Sequence, residues 1–105
     1  MNSRQKGARG EREFRDYLRE RGIEARRGQQ FSGSPDSPDV VSGLTNVHWE
    51  VKRVERLEIY KAVEQAVTDA GDRLPVVAFK SNRQAWLAIL PMDQLIPLLR
   101  RAHED

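Results

Sequence analysis

The chain has 105 residues, enough for one modest hydrophobic core and too few for two. It has no cysteine and only two histidines. That excludes a disulfide framework, a thiol nucleophile and a thiolate or histidine-rich zinc centre, and any metal would be a hard ion held by carboxylates. Lys and Arg number 18 against 16 acids, a formal net charge of +2, which is too small an excess to establish nucleic-acid binding by itself.

Basic residues crowd the start at Arg4, Lys6, Arg9 and Arg12. The spacing predicts a helix over residues 7–21, with Ala8, Glu11, Phe14 and Leu18 at intervals of three and four and Gly22 as its stop. Glu11 is the odd member, because a carboxylate on a core-facing stripe is avoided unless it has a partner or a task. The plainer account puts it at the edge of the stripe with its tip in water. Residues 23–27 read as a short strand ending in Arg26 and Arg27. If this second basic cluster converges with the first, the two make a positive surface matched to a phosphate backbone, although solubility alone would also explain them. Residues 28–37, GQQFSGSPDS, form a Gly/Ser/Pro loop in which Phe31 is the one large apolar residue.

Asp39, after Pro38, opens a very short strand over residues 39–41. Residues 47–52 give the clearest period-two pattern, Val47, Trp49 and Val51 alternating with His48, Glu50 and Lys52. His48 falls on the Glu50 face but further along the strand, a peripheral place. Ile59, Val63, Ala66, Val67 and Ala70 predict a second amphipathic helix over 59–70, closed by Gly71. Two apolar runs, 75–79 and 85–90, read as strands joined by a polar turn. Pro91 opens a last helix with Leu95, Ile96, Leu98 and Leu99 inward, which Pro97 should shorten or kink. The order α-β-β-β-α-β-β-α describes a single α/β domain over 1–105, a mixed five-stranded sheet flanked by helices, with antiparallel hairpins at the ends and a parallel pair across the 59–70 helix.

Glu50 and Lys52 share one strand face while Trp49 and Val51 point the other way. Asp39 on a neighbouring strand can stand beside Glu50, and two carboxylates that close repel unless a cation neutralises them. Magnesium fits, with Mn²⁺ as a substitute, held by Asp39 and Glu50 with Glu11 as a further carboxylate. Lys52 can orient or deprotonate a water or offset charge on phosphorus, Arg12 and Arg27 can clamp phosphate oxygens, and Gln65 can border the cleft. The alternative is an ordinary same-face ion pair on a surface strand.

With these residues in view, KGARGEREFRDYLRERGI (6–23), PDVV (38–41) and WEVKR (49–53) resemble the archaeal-type Holliday junction resolvases and their phage-encoded relatives, within the PD-(D/E)xK nuclease superfamily. The resemblance continues through Gln65 to the PVVAF and AWLAIL runs. It implies a restriction-endonuclease-like core in which Glu11 matches the helix glutamate, Asp39, Glu50 and Lys52 match the catalytic set, and Arg12 and Arg27 match basic residues beside it. It further implies a magnesium-dependent DNA endonuclease that acts on branched DNA, usually as a two-fold homodimer. The basic residues Lys6, Arg9, Arg12, Arg26 and Arg27, with Gln65, then face the DNA. The 28–37 stretch is longer than the equivalent loop of the resolvases. A non-catalytic DNA-binding module derived from the same fold remains the other reading. No apolar run approaches the roughly 20 residues needed to cross a bilayer, and the charged start has no apolar stretch to make a secretory signal, so a cytoplasmic protein, acting in a host cytoplasm if phage-encoded, is expected.

Overall fold

The computed structural model describes residues 3–28 and 39–104, with the side chains of residues 3–6 outside the description. The Lys6 side chain and nearly all of the 28–37 loop, Phe31 included, therefore lie outside the described residues.

The elements are α1 (Ser3–Glu20), β1 (Ala25–Arg27), β2 (Val40–Ser42), β3 (Val47–Arg53), α2 (Ile59–Ala70), β4 (Leu74–Lys80), β5 (Leu87–Ile89) and α3 (Met92–Glu104). The five strands lie side by side in chain order. β1–β2, β2–β3 and β4–β5 are antiparallel, whereas β3–β4 is parallel. The parallel pair follows from connectivity, since α2 carries the chain back to the end at which β3 began. The mixed, helix-flanked sheet is the expected restriction-endonuclease-like arrangement, and the long register of β3 against β4, from Val47 with Leu74 to Arg53 with Lys80, makes β3 its central rail.

One face of the sheet is covered by α1, which packs over β1, β2 and β3. Phe14 and Leu18 are buried there with Ala25, Val40 and Ala78, flanked by Tyr17, Trp49, Val51 and Trp86. Phe14 organises the layer, with ring centroids 5.0 Å from Trp49 in an edge contact and 4.9 Å from Trp86. Gly10 lets the helix come this close to β3, because a Cβ on it would stand 2.6 Å from the Cβ of Arg53. Arg53 then ties the two elements together, its Nε donating to Glu13 Oε2 at 2.9 Å.

The other face is covered by α2. Ala62 and Ala66 are buried against Val77, with Leu57, Val63, Phe79 and Ile89 around them. The predicted stripe is thus rotated. The row Ala62, Ala66 and Ala70 points inward, and Ile59 and Val67 are exposed, because three small side chains one turn apart let the helix lie close to the strands. β5 is shorter than the predicted 85–90 run and largely exposed, as an edge strand.

α3 departs furthest from expectation. It runs through Pro97 to Glu104, and none of its residues is buried. Met92 is 64% exposed and Leu99 is 52% exposed, with Ile96 and Leu98 also open, so its apolar side does not cover the sheet. Among the described residues no helix is long and apolar enough to cross a membrane.

Candidate active site

Asp39 is fixed by its place in the sheet. Its N–H donates to the Trp49 carbonyl at 3.0 Å and its carbonyl accepts from Gly28 N–H at 2.9 Å, which zips it between β1 and β3. Its side chain reaches sideways, Oδ2 accepting from the Val51 N–H at 2.8 Å. The carboxyl therefore sits on the backbone between Glu50 and Lys52.

Glu50 is not part of a solvated surface strand, being only 6% exposed. Its Oε1 lies 3.9 Å from Lys52 Nζ and its Oε2 lies 3.7 Å from His48 Nε2. An ordinary surface ion pair is thereby excluded for this acid, since a nearly buried carboxylate needs compensation. Asp39 shows the strain of the arrangement: burial first and the charge of Glu50 second push its carboxyl up to about 7, against the opposing effect of the Val51 N–H and Lys52. Two carboxylates held this close repel each other, and the chemistry of the donor set fits a divalent cation.

Glu11 approaches from α1. Nε and Nη2 of Arg27 each lie 3.1 Å from its Oε1. Burial raises its pKa, Arg27 opposes that, and Glu50 adds to it. The carboxylate on the inward stripe thus has a partner, and it lies close enough to the other acids for its charge to act on Asp39. The structure brings Glu11, Asp39, Glu50 and Lys52 into one electrostatic neighbourhood. Arg9, Arg12 and Arg26 stand at exposed positions, as does Gln65 on α2. Arg27 is engaged with Glu11, so any grip on phosphate must be shared with that acid.

Three residues escaped the sequence reading. His48 is fully buried rather than peripheral, because α2 lies over this face of β3. Asp69, the penultimate residue of α2, joins it: His48, Glu50 and Asp69 bring ligand atoms within 4.8 Å of one another, a group that could hold a metal ion. Arg73, just past α2, places Nη2 3.3 Å from His48 Nδ1. Period two had already put His48 on the Glu50 face, so HxExK was the available signal. Nothing in the sequence joined Asp69 or Arg73 to it.

Comparison with known proteins agrees with this fold. The family profile described as archaeal Holliday junction resolvase (Hjc) matches residues 2–96. A solved structure of Archaeoglobus fulgidus Hjc, a Holliday junction resolvase from an archaeal hyperthermophile, is similar with a TM-score of 0.59 at 31% identity, over 77% of this chain and 72% of that one. Among curated proteins none matches.

Proposed function

Because the chain belongs to the archaeal Holliday junction resolvase family, we propose that it is a metal-dependent endonuclease that hydrolyses phosphodiester bonds in branched DNA. The 105 residues would act as one nuclease domain, in the cytoplasm. The observation that carries this reading is Asp39, half-buried, bonded to the strand that holds Glu50 and pushed up to about 7 by desolvation and by that acid.

Asp39 and Glu50 hold Mg²⁺, or Mn²⁺ in its place, with Glu11 as the third carboxylate. When bound, such an ion polarises the phosphodiester and lowers the pKa of a coordinated water. Lys52, 3.9 Å from Glu50, orients the attacking water or offsets charge developing on phosphorus. Arg12 and the Arg27–Glu11 pair steady non-bridging oxygens at the rim, and Lys6, Arg9, Arg26 and Gln65 extend the contact along the backbone. Recognition then rests on phosphate and on DNA shape. Two copies pair through the exposed apolar side of α3, none of whose residues is buried, and present two sites to opposed strands.

The test is a cleavage panel in Mg²⁺ and Mn²⁺ over linear duplex, single strand, flap and four-way junction, with Glu50→Ala as control. The four-way junction should be cut in preference, and the variant should bind it in Ca²⁺ without cutting. Binding by the parent protein with no cleavage of any substrate would instead identify a non-catalytic module.

A further inference from the structure

We infer that His48 is a positioning residue for Glu50, held in its working tautomer by Arg73; this rests on the reading of Glu50 as a cation-holding carboxylate. The Nδ1 atom of His48 lies 3.3 Å from Arg73 Nη2. A guanidinium has donors only, so Nδ1 must accept, and the ring hydrogen sits on Nε2. Nε2 is buried with no hydrogen-bond partner among the described residues, and it faces Glu50 Oε2 at 3.7 Å. That is just beyond hydrogen-bond length. Leaving a buried donor unpaired is costly, and the facing oxygen is the acceptor that a small movement of Glu50 would supply.

Arg73 is itself anchored. Its backbone N–H donates to the Ala70 carbonyl at 3.0 Å and its Nε reaches the same oxygen at 3.5 Å, at the end of α2 where a helix favours positive charge. A connected path therefore runs from the α2 terminus through Arg73 and His48 to Glu50. With Glu50 moved onto that donor, it holds Oε2 on the inner side and leaves Oε1 toward Lys52 and the cleft. Outer-shell partners of this kind fix the orientation of a ligating carboxylate. His48 belongs to the group with Glu50 and Asp69 that could hold a metal. Ligation through Nε2, however, would need the lone pair that the Arg73 contact replaces with a hydrogen, so His48 acts in that group as a donor.

The experiment is calorimetric titration of the whole chain with Mn²⁺ at one pH, beside an ¹⁵N–¹H ring correlation spectrum and a melting curve for each variant. His48→Leu, which has no donor, should weaken Mn²⁺ binding about 10- to 100-fold. His48→Gln, whose amide N–H falls near the ring Nε2 position, should recover most of it. Arg73→Met should keep the ring but lose the fixed Nε2–H signal, and weaken binding as His48→Leu does. Asp69→Asn should change the affinity little. Gln as damaging as Leu, a ring hydrogen found on Nδ1, or Asp69→Asn as harmful as His48→Leu would overturn the assignment, the last pointing to a metal held by His48 and Asp69. If the parent protein cuts no DNA while these affinities keep the expected order, the nuclease reading falls and the positioning role stands. A parent protein that binds no divalent cation overturns both.

Discussion

Asp39 links the acid–base behaviour of this molecule to its stability. Its carboxyl titrates near 7 when folded against 3.8 ordinarily, so over that interval the folded chain keeps a proton that the unfolded chain has released. Stability falls with rising pH where the folded state binds more protons. The contribution of Asp39 is therefore most favourable below about 3.8 and is lost progressively up to about 7; Glu11, raised by burial, acts in the same direction. In EDTA the melting temperature should drop between pH 5 and pH 8, Asp39→Asn should remove most of that slope, and Mg²⁺ or Mn²⁺ should flatten it by taking the proton's place. A parent protein and Asp39→Asn variant with the same pH slope would refute the assignment. Cleavage should depend on pH in the opposite sense, rising toward neutrality as Asp39 loses its proton, and a higher Mg²⁺ concentration should move the rise to lower pH.

At the scale of elements, the approach of α1 to β3 decides whether Glu11 reaches the other acids at all. Gly10 has no room for a methyl group against Arg53, whereas Gly7 has nothing within 4 Å among the described residues. Gly10→Ala should cost about 1–3 kcal/mol through overpacking and lower cleavage by displacing Glu11. Gly7→Ala should be neutral or stabilising by up to about 1 kcal/mol. Paired melting curves check both, and equal effects at the two glycines would show that close packing is not what Gly10 provides. Patterns of period two and period 3.6 made most elements readable from the sequence, because the strand face of Glu50 and Lys52 and the stripe of Phe14 and Leu18 each bury one side. The α2 register was misread for a definite reason. Hydrophobicity ranks Ile59 and Val67 above Ala62, but packing distance favours the alanines. The burial of His48 was equally illegible, since it depends on which helix covers that face and not on the strand itself.

For the whole molecule, the apolar side of α3 is the largest disagreement between pattern and packing. A helix with Met92, Ile96, Leu98 and Leu99 all exposed reads from sequence as cover for the sheet. Amphipathicity records that a face must be buried but not against what. If two copies bury it together, Ile96→Glu combined with Leu99→Glu should convert a dimer to a monomer by light scattering, with little change in the melting of the core. Paired incision of a four-way junction should then give way to single nicks. A parent protein that is already monomeric at micromolar concentration would remove α3 as a dimer surface.

The parallel seam between β3 and β4 has one more implication. Glu11, Asp39, Glu50 and Lys52 all lie in the first half of the chain, yet β3 stays an open edge until β4 arrives beyond the α2 crossover. A polypeptide emerging from the ribosome thus carries all four side chains well before β4 is made, and the strand that would seat the proposed site gains its second neighbour only with the second half of the chain. Competence depends on a strand that contributes no chemistry of its own.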